Sequence, residues 1–183
     1  MDDRVRHVIY DVAMREGVPP TSQRVGETLG INSSEVLESF RRLADAHMIV
    51  LQEDGEILMA GPFSAVPTPF RVSLLPSGEG ARSADEGPGS SEARPSPSPF
   101  PFATLRVRGR PLPEGEGFSC FGNCIWDALG IPAMLHADAV IDTTCANSSA
   151  PAQLLIADGK LSGEGFMHFL VPARLWWLHI IYT

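Results

Sequence analysis

The sequence contains almost no lysine: Lys160 is the only one among 183 residues, and the formal net charge is −8 at pH 7. A surface with this charge repels phosphate backbones, unless arginines cluster locally. Nucleic acid is therefore a disfavoured partner for the chain as a whole.

Long apolar runs are also missing. No run reaches the ~18 residues of a membrane span, and the N-terminal stretch MDDRVRHVIYD lacks the basic and then apolar layout of a signal peptide. We therefore expect a soluble, cytoplasmic protein that has no membrane partner.

Cysteine is scarce as well, with three residues in the chain: Cys120, Cys124 and Cys145. An odd number does not build a disulfide framework, and no Cys-x-x-Cys pair supports a structural zinc site. Two or three of these thiols could still hold a soft metal ion such as Hg(II). The alternative is that all three are inert thiols in the protein core.

Residues 1–60 have the pattern of three helices followed by a hairpin. Apolar residues recur at helical spacing in three segments, and two short apolar strands then flank the Asp54-Gly55 turn. This order predicts a winged helix-turn-helix-like domain. Its six arginines against eleven carboxylates favour a structural or protein-contacting role over DNA reading.

Composition divides the rest of the chain. Residues 61–75 contain prolines and read as an extended connector, and residues 76–102 as a disordered Pro/Ser/Gly-rich insertion. Residues 103–183 predict a second domain in which one helix precedes several strands, the last of them in FMHFLVPA. His168 in that segment reads as a core histidine. The chain as a whole is expected to be of the α+β class.

The stretch FGNCIWDALGIPAML, residues 121–135, carries the chemistry. If a helix begins near Cys124 with Asn123 as its N-cap, the free backbone N–H groups favour the thiolate form of Cys124. Asp127 lies one turn further along the same face and can supply general acid chemistry next to whatever the sulfur binds. The pair therefore predicts a site that takes a soft electrophile and moves a proton beside it.

This stretch, together with Cys145 in DTTC and the tail MHFLVPARLWW, resembles the organomercurial (alkylmercury) lyase family. The resemblance extends over about residues 1–72 and 103–183, and PFSAVPTPFRV resembles the family's domain join. It implies an N-terminal winged-helix cover and a C-terminal mixed α/β lyase-like domain with small antiparallel sheets.

The resemblance also implies an activity, the protonolytic cleavage of carbon–mercury bonds to a hydrocarbon and Hg(II), with no cofactor. Cys124 matches the cysteine that captures mercury, and Asp127 matches the aspartate that delivers the proton. A mercury-accepting thiol protein is an implied partner. Two other functions stay open: a non-catalytic protein that binds a soft metal or electrophile, and a winged-helix regulator with a ligand-sensing second domain.

One departure from the family pattern concerns its second catalytic cysteine. Glu164, Gly165 and Phe166 occupy the region where that cysteine is expected. Cys120 is the candidate replacement in catalysis, because it closely precedes Cys124. Cys145 matches a family cysteine regarded as structural, and it completes the candidate mercury ligands with Cys120 and Cys124.

Overall fold

The structure is a computed structural model that describes residues 1–75, 118–162, 166–169, 171–178 and 180. These residues form four α-helices, eight short strands and a C-terminal 3-10 helix, Ala173–Leu178. The predicted α+β class is therefore confirmed. The predicted insertion at 76–102 and the start of the second domain, 103–117, lie outside the described residues.

Three helices open the chain, and local signals explain where each begins or ends. Helix α1 (Asp2–Glu16) ends at Gly17, whose φ of 78° is a left-handed conformation that glycine adopts without strain. Thr21 caps α2 (Ser22–Leu29) by accepting a hydrogen bond from the backbone of Arg24. Helix α3 (Ser33–Asp45) begins with a capping box between Asn32 and Glu35.

A small antiparallel sheet follows, with the order β1-β2-β3. Its strands are β1 (Val50–Leu51), β2 (Ile57–Ala60) and β3 (Phe63–Ser64). The predicted helices and hairpin are therefore present, and they share a core that includes Val5, Ile9 and Phe40. The winged helix-turn-helix assignment itself stays a prediction.

A second antiparallel sheet of five strands has the order β5-β4-β6-β7-β8. Its strands are β4 (Arg71–Leu74), β5 (Ser119–Phe121), β6 (Ala139–Thr144), β7 (Pro151–Ala157) and β8 (Lys160–Ser162). Helix α4 (Ile125–Leu135) connects β5 to β6 and contacts β4 and β6.

The position of β4 adds to the description of residues 61–75 as an extended connector. This segment supplies β3 to the first sheet and β4 to the second, where β4 lies between β5 and β6. Its apolar residues explain the difference, because Phe63, Val72 and Leu74 are almost completely buried in the second core. Ala13 of α1 belongs to the same core, so α1 packs against the second sheet.

The C-terminal segment differs from its prediction. The described residues 166–169 form no strand, and His168 is exposed instead of buried. The segment is attached through aromatic contacts: Trp177 stacks on His47 with ring centroids 4.6 Å apart. Among the described residues, none of the helices combines the length and apolar character needed to cross a bilayer.

Candidate functional site

Cys124 occupies the N-cap position of α4, one residue later than the predicted cap at Asn123. Its backbone is extended, with φ of −144° and ψ of −179°, and its carbonyl accepts the first helical hydrogen bond, from Ala128, at 2.9 Å. The thiol is half-buried. The sequence thus located the helix start to within one residue.

Asp127 is the third residue of α4, and its carboxylate turns back toward the start of the helix. The backbone groups of Cys124 and Asn123 and the Cys124 thiol lie near enough to this carboxylate to lower its pKa in part. The spacing is that of a capping box, with a thiol in place of the usual serine or threonine hydroxyl. A spacing of three residues at the start of a helix therefore accounts for why Cys124 and Asp127 face each other.

Gly122 fixes how α4 leaves strand β5. A Cβ atom at this position would lie 2.6 Å from the backbone nitrogen of Ala128, so only glycine fits against the helix. The backbone N–H of Gly122 donates to the Phe70 carbonyl at 3.0 Å, and its carbonyl accepts from the Thr68 hydroxyl at 2.6 Å. Residues of the predicted connector therefore hold the start of the site in place.

The Cys124 thiol does not show the acidity that we predicted from the helix N-terminus. Burial raises its pKa, and the negative charge of Asp127 raises it further. The sulfur makes no well-formed capping hydrogen bond, although the backbone N–H groups of Asp127 and Trp126 lie near enough to lower the pKa in part. The expected helix effect is present, but burial outweighs it and the neutral thiol is favoured.

Asp127 is shifted in the same direction. Burial raises the pKa of its carboxyl group, and the hydrogen bond from the side chain of Asn123 is the largest opposing contribution. The Asn123 Nδ2 group donates to Asp127 Oδ2 at 3.0 Å. A buried carboxyl group next to a neutral thiol can accept and return a proton near neutral pH.

Cys120 lies in β5 and is buried, opposite Val72 in β4. Burial raises the pKa of its thiol to about 12, so it stays neutral at physiological pH. Its side chain belongs to the core that contains Ala128 and Ile141. These features are those of a structural thiol, and a catalytic role for Cys120 stays a prediction.

Cys145 lies in the exposed turn between β6 and β7. Its side chain interacts with the hydroxyl of Ser148, and that contact, helped by the backbone N–H groups of Ser148 and Asn147, lowers the pKa of the thiol. It is the only one of the three thiols with a lowered pKa. Acidity therefore belongs to a cysteine that the sequence pattern had not singled out as reactive.

The structure does not bring the three predicted mercury ligands together, and the three-thiol site stays a prediction. All three cysteines are described, and no group of three or more His, Cys, Asp or Glu side chains in the described part of the chain could hold a metal ion. The physical reason is their different locations, with Cys120 in the sheet core and Cys145 in an exposed turn. Capture by Cys124, with one further thiol, stays a prediction.

Two neighbouring residues have contacts that the sequence analysis did not predict. Asn123 bonds to Asp127 instead of capping the helix. Tyr10 of α1 is buried, and burial raises the pKa of Tyr10 to about 12, with a smaller contribution from the charge of Asp127. The contact of Asn123 is local, across four residues, whereas the burial of Tyr10 depends on packing.

Two surface clefts lie elsewhere. One, of about 180 Å³, is lined by Gly17, Ser64 and the β5 residues Ser119 to Phe121. The other, of about 370 Å³, lies between the α1–α2 connection and the β1–β2 hairpin. Neither is lined by Cys124 or Asp127, so the pair occupies neither cleft.

Cys124 and Asp127 lie in a part of the chain that matches a known protein family. The family model of alkylmercury lyase, MerB, matches residues 114–181, which include β5, α4 and the strands that follow. The resemblance to the alkylmercury lyase family is confirmed. The match contains Cys120, Cys124, Asp127 and Cys145.

The alkylmercury lyase likeness extends to solved structures. A crystal structure of the mercury-bound form of MerB2 has a TM-score of 0.50 and 21% sequence identity, and the alignment covers 87% of this chain. The alignment spans 59% of that protein's chain, and at this identity it shows the fold alone. No curated protein is significantly similar in sequence.

Proposed function

We propose that this protein cleaves carbon–mercury bonds by protonolysis, with Cys124 taking mercury and Asp127 delivering the proton. The observation that carries the proposal is the pairing of the two side chains at the start of α4, inside the segment that matches alkylmercury lyase. A thiol is the natural ligand for mercury, and a carboxyl group next to it is placed for proton transfer.

The reaction balances in two steps. In the first, the Cys124 sulfur displaces the inorganic ligand X from R–Hg–X and forms S–Hg–R, while the thiol proton passes to Asp127 and X leaves as an anion. In the second, Asp127 returns this proton to the carbon of R as the carbon–mercury bond breaks. The products are the hydrocarbon R–H and Hg(II) on the sulfur, with X as counter-ion.

The raised pKa of Cys124 suits this sequence of steps. A resting thiol already holds the proton that carbon must receive, and Asp127 is the carboxyl group next to it. A preformed thiolate would capture mercury faster but would leave the proton to come from solvent. The neutral thiol therefore captures mercury more slowly, but its proton stays beside the carbon–mercury bond that breaks.

Release of Hg(II) from Cys124 needs a second thiol. Mercury prefers soft sulfur ligands, so it leaves one sulfur only when another takes its place. Cys120 and Cys145 are the candidates within the chain. We expect a small thiol or a mercury-accepting thiol protein to supply this ligand in turnover, since Cys120 is buried in the sheet and Cys145 is exposed in a turn.

The test follows hydrocarbon release from phenylmercury in the presence of excess small thiol. We expect benzene at a rate above the thiol-only background, with loss of that excess in both Cys124→Ser and Asp127→Asn. Trp126→Phe is a control in the same helix turn, because its side chain is exposed and points away from the core. Benzene at the background rate with the unaltered protein would remove the enzymatic proposal.

A second candidate function is non-catalytic binding of a soft metal or electrophile through the same cysteine. The feature that supports it is the half-buried thiol of Cys124. It predicts stoichiometric Hg(II) binding that is lost in Cys124→Ser, retained in Asp127→Asn, and accompanied by no benzene release. The regulator hypothesis predicts instead a salt-dependent shift of duplex DNA at ~50 mM salt.

A further inference from the structure

The side chain of Asn123 lies against the proton-transfer residue through one specific contact. Its Nδ2 group donates to Asp127 Oδ2 at 3.0 Å across one helical turn. Since Cys124 has taken the N-cap position, this side chain is not needed to begin the helix. Its contact with Asp127 therefore has a purpose other than capping.

The other end of the same carboxamide supports this conclusion. Asn123 Oδ1 is buried and has no hydrogen-bond partner among the described residues. A buried acceptor without a partner costs stability, and an apolar side chain of similar size would avoid that cost. Packing alone therefore does not explain an asparagine at this position. The hydrogen bond from its Nδ2 group to Asp127 does.

The carboxyl group of Asp127 needs such a contact to be oriented. Rotation about the terminal torsion of aspartate is broad, so its plane is set by its partners and not by a rotamer well. The Cys124 and Asn123 backbone groups hold the carboxylate near the start of α4. The Asn123 side chain adds a contact to one particular oxygen, Oδ2.

We propose that Asn123 is a positioning residue, which fixes the plane of the Asp127 carboxyl group so that one oxygen faces Cys124 and the substrate carbon that sulfur-bound mercury brings there. The catalytic consequence rests on the proposed lyase function, but the orientation itself does not. Asn123 touches neither mercury nor the reacting carbon in this arrangement and acts through Asp127.

The closing experiment uses two readouts. The first is the rate of Cys124 alkylation by iodoacetamide at one fixed pH, followed on the Cys124 peptide by mass spectrometry so that each thiol is counted separately. A well-placed Asp127 holds the thiol proton and disfavours the thiolate, so Asn123→Leu should speed alkylation by about threefold or more. In an Asp127→Ala background the same substitution should add nothing.

The second readout is phenylmercury cleavage. Asn123→Leu should lower kcat by about tenfold and leave KM within about twofold, because proton delivery is misaligned while mercury capture is not. Asn147→Leu is the matched control, since Asn147 lies in the exposed β6–β7 turn. Asn123→Ser, which is smaller, is used if the leucine variant does not fold.

Equal acceleration of alkylation with and without Asp127, or no acceleration in either background, would overturn the positioning role. A KM that rises while kcat is unchanged would do the same. If alkylation shows the expected coupling but the unaltered protein releases no benzene, the lyase function fails and the orientation of Asp127 by Asn123 stands.

Discussion

Replacing Gly122 with alanine should disturb the junction between β5 and α4. Among the described glycines, Gly122 is the one whose missing side chain lets this strand and this helix approach each other. The new Cβ would lie 2.6 Å from the backbone nitrogen of Ala128, 2.9 Å from its Cα and 3.0 Å from its Cβ. Real Cβ atoms do not approach other atoms this closely, so the first turn of the helix must move.

Such a movement is restricted on the other side. The Gly122 N–H donates to the Phe70 carbonyl, and its carbonyl accepts from the Thr68 hydroxyl. Gly122 also forms an isolated antiparallel bridge with Phe63. Relief of the clash therefore requires either loss of one of these hydrogen bonds or displacement of the helix that carries Cys124 and Asp127.

The expected cost is that of overpacking a well-filled core, about 1–3 kcal/mol in the free energy of unfolding. With a urea dependence of about 1–3 kcal/mol per molar, the unfolding midpoint should fall by about 1 M. Urea titration followed by tryptophan fluorescence measures it. The same variant should lose benzene release, since the two site residues shift relative to each other.

Gly130→Ala is the matched control, because nothing lies within 4 Å of a Cβ built there and the residue is in the interior of α4. It should raise the free energy of unfolding by about 0.5–1 kcal/mol through helix propensity. Unchanged stability of Gly122→Ala, or equal effects of the two substitutions, would refute the close approach of strand and helix described above.

Two further predictions concern titratable groups. Iodoacetamide at pH 8 should modify Cys145 first, then Cys124, and Cys120 at least about 100-fold more slowly, as measured by peptide mass spectrometry; earlier labelling of Cys120 would contradict its burial. Asp2→Asn should lower the free energy of unfolding at pH 7 by at most about 1 kcal/mol, because Arg42 holds the pKa of the Asp2 carboxyl well below its usual range at a partly exposed site. Since a depressed pKa stabilises the fold above the unfolded pKa of about 3.9, the difference between the two proteins should shrink as pH falls below ~4, and a difference that persists in acid would contradict the pairing.

Much of the local structure could be predicted because its causes are local. Gly17 and Gly30 end their helices, Asn32 begins another, and Asp158-Gly159 joins β7 to β8. Each depends on the backbone preferences of a few adjacent residues. The strand predicted in the C-terminal FMHFLVPA segment was wrong. Strand formation depends on a distant partner as well as on the local apolar pattern, and the described residues of this segment form no strand.

Strand order and the connector could not be predicted in the same way. Strand β4 pairs with β5 and β6, whose residues lie about 45 to 70 positions later in the chain. Such pairing depends on which apolar faces meet in the folded chain, and Val72 or Leu74 carries no mark of its partner. Strand β5, which contains Cys120, was missed because three residues are too few for a periodic signal.

The sequence by itself determined that a thiol and a carboxyl group face each other at the start of a helix, because a spacing of three residues places them one turn apart. Only the tertiary structure decided their protonation, since burial raises both pKa values and outweighs the helix N-terminus. It also decided which thiols stay apart, with Cys120 in the core and Cys145 in an exposed turn. Desolvation depends on every element packed around a group, and no short stretch of sequence contains that information.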